Sequence, residues 1–255
     1  MIITISLCAW SILALGQSDK MADSLLLEIK YASSEEKIEL TKSLSRTFCF
    51  SKPKLVKEAI DSLLKEAPQL SLLDNIEFNF TKELTCYYLN ETNRLTDDFK
   101  KTSEQLAQYD GDKNEHYYFL KYREADLKAI LKNHNANTEE TLKFHLEAVK
   151  YARLSNNNQH LGNAYNILGT FYIDKGEYTK AIKYLELSRQ LKLNHTTQNE
   201  GYYTHLYSEL ATAYGYTNQL DSAEKYINLV PLSGRETLYY MDLSLYHKQR
   251  GNYRK

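Results

Sequence analysis

The C-terminal part of the chain repeats a pattern of aromatic, small and turn-forming residues at fixed intervals. In the first block the recurring positions are Tyr165, Leu168, Gly169, Tyr172, Gly176, Tyr178, Ala181 and Leu185. In the second block they are Tyr207, Leu210, Ala211, Tyr214, Asn218, Leu220, Ala223 and Ile227. A third block holds Tyr240, Leu243, Ser244, His247, Gly251 and Tyr253. Such repetition predicts a helical array, in which each unit buries its apolar face against its neighbours.

The recurring small and aromatic residues indicate how the helices pack. Small residues at Gly169, Ala211 and Ser244 predict that the two helices of a hairpin cross closely there. The matching small residues of the second helices are Ala181 and Ala223. Each of the first two blocks also has two tyrosines two turns apart, which we expect to stack on one face and fill the seam between repeats. These pairs are Tyr165 with Tyr172 and Tyr207 with Tyr214.

Turn-forming residues stand where the first helix of each block should end. Gly176 and Gly251 suit a left-handed conformation that other residues adopt only at a cost, and Asn218 is the next-best choice. Pro231 is expected to end the second helix of its unit early.

The whole chain reads as helical. It has only three prolines and nine glycines in 255 residues, which favours long helices joined by short turns, and it lacks the period-two alternation of strands. Upstream of the repeats, apolar periodicity predicts helices over residues 22–32, 35–48, 53–67, 71–88, 92–109, 115–131 and 138–154. The predicted fold class is therefore all-α, an α-solenoid of antiparallel helical hairpins.

The recurring positions resemble the tetratricopeptide repeat, whose signature is an aromatic residue and then Leu-Gly, Tyr, Gly, Tyr and Ala at these intervals. The unit 162–195 matches almost throughout, the unit 204–236 keeps most of the pattern, and the unit 237–255 is incomplete. The resemblance implies a right-handed superhelix. It assigns degenerate hairpin repeats to residues 17–155 and tetratricopeptide repeats to residues 156–255.

The N-terminus has the composition of an export signal. Residues 1–16 carry no charge, and residues 2–15 form an apolar run too short to span a bilayer comfortably. No basic residue follows Met1, which is unusual for a signal peptide, and a buried N-terminal helix is the alternative. We expect a signal peptide or signal-anchor over residues 1–16, with the rest of the chain periplasmic or membrane-anchored outside the cytoplasm.

This layout resembles the exported sensor region of signalling proteins from the Bacteroidetes, in which a membrane helix and a histidine kinase or helix-turn-helix regulator usually follow. The third block stops at Lys255, one residue before the small residue expected in its second helix. Because terminal repeats usually need a polar cap, we expect the chain to be the sensory part of a longer protein.

The sequence offers little catalytic or metal-binding chemistry. It contains no Gly-rich phosphate loop, GxSxG elbow or His-Glu-x-x-His helix. Residues 110–114 hint at a calcium loop, but Lys121 stands where the bidentate acid should be. His116 and His145 could form a metal pair, although a solvated or packing role is favoured. We expect no cofactor, no metal and no catalytic residue, and we leave open whether Cys49 and Cys86 form a disulfide or two free thiols.

The charge balance limits the partners. Acidic residues number 33 and basic residues 32, and no long run of one sign occurs. Nucleic acid and anionic lipid need clustered Lys and Arg. We therefore expect no nucleic-acid partner, and membrane contact only through an uncleaved leader or a missing downstream segment.

The resemblance implies a groove lined by the first helices of successive units, which takes a peptide. The groove-facing residues would be Asn163, Asn166, Thr170 and Asp174, then His205, Ser208, Glu209 and Thr212, then Met241, Asp242 and Leu245. Some family members hold an acidic C-terminal tail with a clamp of Lys, Asn and Arg. Those positions here hold Asn166, Thr170, Glu209, Leu238 and Asp242. Glu209 and Asp242 would repel a carboxylate, so we predict a neutral-to-acidic groove that favours polar or basic ligands.

The leading functional interpretation is a non-catalytic scaffold that binds a protein or peptide. The alternative is a periplasmic or outer-membrane glycan-uptake component, which would need two or three tyrosines exposed together. An enzyme would need acidic residues clustered in a cavity, and nothing in the sequence indicates one.

Overall fold

The computed structural model describes residues 20–49, 51–66, 69–91, 96–133, 138–192 and 200–230, and the regular structure in these ranges is all α-helical. Residues 20–31 form α1. The helices that follow are α2 Ser34–Phe48, α3 Pro53–Lys65, α4 Leu72–Tyr88, α5 Asp97–Ala107, α6 Glu115–Asn133, α7 Thr138–Leu154, α8 Asn158–Asp174, α9 Tyr178–Lys192, α10 Glu200–Tyr216 and α11 Leu220–Leu229. The predicted all-α fold is confirmed. The leader, Asp242 and the whole third block lie outside the described residues.

One predicted helix boundary was wrong. The helix predicted from residue 92 begins at Asp97. Thr96 has an extended backbone, with ψ of 169°, and its hydroxyl accepts a hydrogen bond from the backbone N–H of Phe99. Because a threonine in this position caps the first turn, it sets the start of α5 five residues later than the apolar periodicity suggested.

The chain divides into two compact units, whose described residues are 20–155 and 156–230. In the first unit, α4 packs against α3, α5 and α6, α2 packs against α3, and α6 pairs with α7. In the second unit, α8 pairs with α9 and α10 pairs with α11, while α10 also packs against α8 and α9. Each unit is thus a stack of neighbouring helices, as in a tetratricopeptide-like solenoid, rather than a shell around one central core.

The first helices of the two repeats end in the same way. Gly176 and Asn218 have left-handed backbones, with φ of 71° and 59°. The next residue in each case donates its N–H to the carbonyl of a helix tyrosine at 2.9 Å, Glu177 to Tyr172 and Gln219 to Tyr214. The left-handed residue also donates its own N–H to the carbonyl three residues earlier. Together the two bonds satisfy carbonyls at the end of the helix.

Close approach of the two helices explains why the first repeat has glycine at position 169. A Cβ added to Gly169 would lie 2.6 Å from Cγ of Leu185 on α9, and Leu185 is fully buried. Ala211, at the matching place on α10, is also buried. The absence of a side chain at Gly169 therefore lets α8 and α9 pair closely.

A tyrosine from the second helix joins the predicted pair in each repeat. Tyr184 of α9 lies against both Tyr165 and Tyr172, with ring centroids 6.0 and 5.6 Å away. The second repeat copies this arrangement. The ring centroid of Tyr226 on α11 lies 5.9 Å from that of Tyr207 and 5.6 Å from that of Tyr214. The stacks join the two helices of each hairpin, because the second helix supplies the middle ring.

A carboxylate on α9 joins the two repeats. Glu186 accepts hydrogen bonds from the hydroxyls of Tyr214, at 3.2 Å, and Tyr226. Arg189 donates to the same carboxylate at 2.7 Å. Burial alone would raise the pKa of Glu186, but these hydrogen bonds outweigh it and lower the pKa. The bonds tie the aromatic stack of the second repeat to the second helix of the first.

Helices α1 to α4 of the first unit share a cluster of apolar residues. Its buried members are Ala22, Leu44, Phe48, Val56, Ile60, Leu63 and Phe78. Cys49 is buried, Cys86 is partly buried, and both are free thiols, so the disulfide alternative is wrong for this structure. Within the described residues, no helix combines the length and apolar character needed to cross a bilayer.

Candidate functional site

The predicted groove residues fall on two adjacent helices of the second unit. Eight of them lie on α8 and α10, and we call this set the α8–α10 face: Asn163, Asn166, Thr170, Asp174, His205, Ser208, Glu209 and Thr212. Positions on the two helices correspond at a spacing of 42 residues, so that Asn166 matches Ser208 and Thr170 matches Thr212. The ninth predicted residue, Asp242, lies outside the described residues.

A direct side-chain contact joins the two helices across this face. The hydroxyl of Thr170 lies 2.8 Å from Oε2 of Glu209, to which it can donate. The same hydroxyl lies 3.1 Å from the backbone carbonyl of Asn166, one turn earlier. Because a hydroxyl has one hydrogen to donate, these are alternative bonds, and the bond to the carboxylate is the stronger type.

Two buried polar atoms on the α8–α10 face have no hydrogen-bond partner. They are Oδ1 of Asn166 and Oγ of Ser208. Asn166 is 8% exposed and Ser208 is 4% exposed. A buried polar group without a partner costs about 1–3 kcal/mol, and such groups in folded proteins call for an explanation. Here the two occupy the same position in successive repeats.

The charge of the face is negative. Its ionisable residues are Asp174, His205 and Glu209, and none of its eight residues is Lys or Arg. His205 has its ring Nε2 3.5 Å from Oε1 of Glu209. Partial burial lowers the pKa of His205, so the ring is neutral at pH 7. The face therefore offers carboxylates, two amides and hydroxyls, and no positive charge at neutral pH.

Two aromatic rings, one exposed and one partly buried, stack at the end of the same hairpins. Tyr178, at the start of α9, and Tyr216, at the end of α10, have parallel rings with centroids 4.3 Å apart. Tyr216 is 51% exposed. The sequence pattern singled out Tyr178 as a repeat position but not its pairing with Tyr216, which depends on how the repeats stack.

A cluster in the first unit has the residue types of a metal site. Asp74 and Glu77 of α4 and His116 of α6 place one ligand atom each within 4.8 Å of one another. Both carboxylates, however, already form ion pairs with basic side chains. Arg46 holds Glu77 with two hydrogen bonds of 2.9 Å, and Lys42 pairs with Asp74 at 2.5 Å. A metal ion would have to displace them, so the arrangement is an ion-pair network.

The two histidines considered from the sequence as a metal pair lie in different surroundings. Nε2 of His116 lies 2.8 Å from Oε2 of Glu77. His145 is buried in the middle of α7, and burial lowers its pKa to about 4, so it stays neutral. The i, i+3 spacing of Asp74 and Glu77 indicates that they share a helix face. Their partners lie on other helices, so the local sequence does not reveal the contacts.

Comparisons with known proteins leave the family open. No family model matches the sequence, and a search of curated proteins finds no significant match. Among solved structures, the chain is similar to NprR, in the crystal structure of NprR in complex with its cognate peptide NprX. The two share 18% identity with a TM-score of 0.42, over 99% of this chain and 85% of NprR.

Proposed function

We propose that this protein is a non-catalytic scaffold that binds an extended peptide segment on the α8–α10 face. One observation carries the proposal: Asn166 and Ser208, at the same position in successive repeats, each hold a buried polar atom without a partner. A bound peptide would supply the missing partners. The cost of leaving these atoms unsatisfied in the free protein would then be recovered in the complex.

The side chain of Asn166 suits peptide main chain in particular. Its amide carries donors and an acceptor, as a peptide group does. The terminal torsion of asparagine is broad, so a rotation can turn either the carbonyl or the NH₂ group outward. Neighbouring helices lie roughly 8–10 Å apart, and an extended chain advances about 3.3 Å per residue. Asn166 and Ser208 would therefore meet peptide groups two or three residues apart.

We also propose that the protein is exported from the cytoplasm and takes part in signalling. The uncharged apolar run over residues 1–16 supports placement outside the cytoplasm. The resemblance to exported sensor regions supports a role in signal transduction, with the peptide or protein ligand as the signal. Cell fractionation with an antibody to the second unit tests the placement, and finding the protein only in the cytosol would contradict it.

A second candidate is glycan binding, which the stacked pair of Tyr178 and the exposed Tyr216 favours. Aromatic faces stack on apolar sugar faces, and the outer face of Tyr216 is open to solvent. The facing sides of the two rings are covered by their mutual stacking. Only one open ring face is therefore available to a sugar. This candidate has less support than the peptide, because no buried unsatisfied group lies on either ring.

The test is a selection of peptides from a randomised library displayed on phage, using the full chain as bait, followed by calorimetric titration of a selected synthetic peptide. We expect Ser208→Ala and Asn166→Leu to weaken binding about tenfold or more. Ser208→Ala should leave unfolding stability equal or slightly higher, because it removes a buried hydroxyl that has no partner.

The matched control is Ser103→Ala, which removes a buried hydroxyl without a partner in the first unit. It should change stability in the same direction and leave peptide affinity alone. A library that yields no binding peptide would overturn the proposed function. The assignment to this face would be overturned if the selected peptides bound Asn166→Leu and Ser208→Ala as tightly as they bind the natural protein.

A further inference from the structure

We infer that this protein forms a weak dimer with a second copy of itself, through antiparallel pairing of one face of α7. This goes beyond the proposed function, and peptide binding on the α8–α10 face does not depend on it. The inference is carried by a surface groove on α7 that contains exposed leucine, and by an order of charges that is complementary to itself.

The groove lies on a face of α7 that remains open to solvent. The helix pairs with α6 and buries Ala148 and Ala152. The residues that line the groove are Glu139, Leu142, Lys143, Leu146, Glu147 and Lys150. Their spacing of three or four places them on one side of a helix. Leu142 is partly exposed and Leu146 is 45% exposed. An apolar stripe bordered by charges is the kind of helix face that pairs with another helix.

The charged residues of the groove are available to a partner. In the part of the chain that the structure describes, Glu139, Lys143, Glu147 and Lys150 form no ion pair. Lys150 lies only over the ring of its neighbour Tyr151, with Nζ 5.4 Å from the centroid. An interface could therefore pair these charges without breaking an existing ion pair.

The order of the charges makes this face complementary to itself. Along α7 it runs Glu, Lys, Glu, Lys, so a second copy in the opposite direction presents Lys, Glu, Lys, Glu. Antiparallel pairing places Glu139 opposite Lys150. It also places Lys143 opposite Glu147, and the two leucines opposite each other. The centres of these pairs lie within about half a residue of one point, or about 0.8 Å along the helix. In a parallel pair each charge would meet a charge of its own sign.

A second copy of this chain is therefore the partner that the face fits. Two-fold pairing makes every contact twice, because residue i of one copy meets residue j of the other and the reverse. It would cover the exposed part of Leu146 and pair all four charges. A single helix face is small beside the interfaces of stable dimers, which bury roughly 1,200 Å² or more. We therefore expect the dimer to be weak and reversible.

Sedimentation equilibrium of the full chain at rising protein concentration tests the dimer. We expect a reversible equilibrium between monomer and dimer. Leu146→Ser should weaken the association about tenfold or more, because the apolar area of the seam is lost. The matched control is Leu72→Ser, which makes the same change at a leucine of α4 that is 46% exposed. It should leave the association unchanged, and circular dichroism should show that both variants are folded.

Charge reversal tests the antiparallel register. Glu147→Lys and Lys143→Glu should each weaken self-association about tenfold or more, because each places like charges opposite one another. An equimolar mixture of the two variants should associate as tightly as the natural protein, because lysines of one copy then face glutamates of the other. Glu104→Lys, the same reversal at an exposed position of α5, should have no effect.

The outcomes separate this inference from the proposed function. A chain that stays monomeric at every concentration would overturn the dimer, and so would self-association that Leu146→Ser leaves unchanged. If the mixture of charge variants associates no better than either variant alone, the antiparallel register is wrong. Each of these results leaves peptide binding on the α8–α10 face as it stands.

Discussion

Gly169 on α8 faces Leu185 on α9 so closely that a Cβ at position 169 would lie 2.6 Å from Cγ of Leu185. Carbon atoms in contact need about 3.5–4.0 Å. The pairing of the two helices in the first repeat therefore depends on the absence of a side chain at this one place.

Replacing this glycine should destabilise the protein. We expect Gly169→Val to lower the free energy of unfolding by about 1–3 kcal/mol, the usual cost of overpacking a filled core. Chemical denaturation followed by circular dichroism measures it. The double variant with Leu185→Ala should show strong coupling, because the second change removes the atoms that clash. Additive effects of the two changes would contradict the close approach.

Gly176 matters for a different reason. A Cβ there would meet nothing within 4 Å, but its φ is 71°. Gly176→Ala should cost about 1–2 kcal/mol, since side chains with a Cβ disfavour the left-handed region. Gly176→Asn should cost less, because Asn218 fills the same position in the next repeat with φ of 59°. Equal destabilisation by Ala and Asn, measured by thermal unfolding, would contradict this explanation.

The tyrosines bound to Glu186 should ionise late. Burial is the main cause that raises the pKa of Tyr214 to about 12, and the nearby Glu186 carboxylate adds to it. Absorbance at 295 nm, recorded as pH rises, should show a phenol that ionises about two pH units above the ordinary value near 10. Because the folded pKa is raised, stability should be lost between about pH 10 and 12. In Glu186→Gln this late phase should move to lower pH, and an unchanged titration would contradict the contact.

Asp126 should make the first unit more stable in mild acid than at neutral pH. Burial raises its pKa to about 6 in spite of nearby Arg123, and its Oδ1 has no partner. A raised pKa means that stability is complete below the unfolded value near 4 and is lost as pH rises to about 6.

The variant Asp126→Asn should remove this loss. We expect its stability relative to the natural protein to increase by about 1–3 kcal/mol between pH 4 and pH 7, each pKa unit being worth about 1.4 kcal/mol. Urea unfolding at several pH values gives the difference directly and cancels contributions from other groups, such as His145. A difference that is constant with pH would show that Asp126 is charged throughout.

The helices could be predicted from the sequence because their signals are local. Apolar periodicity and the caps at Ser33, Ser71 and Asn157 lie within a turn of the helix starts that they fix. The boundary of α5 was missed because Thr96 was not recognised as a cap. Left-handed turns at Gly176 and Asn218 follow from the residue types alone.

Contacts between distant residues could not be predicted in the same way. Tyr184 of the second helix packs against Tyr165 and Tyr172, and the repeat signature does not include its position. Lys42, Asp74 and His116 come together from three helices. Likewise, the sequence placed Asn166 and Ser208 on one face, but only the structure shows that their polar atoms are buried and without partners.

The most direct measurement of the central claim is a crystal structure of the full chain with a peptide selected from the library. We expect an extended segment along α8 and α10, with main-chain groups of the peptide within 3.5 Å of the side-chain polar atoms of Asn166 and Ser208. A peptide bound elsewhere, with these two atoms still buried and unsatisfied, would contradict it.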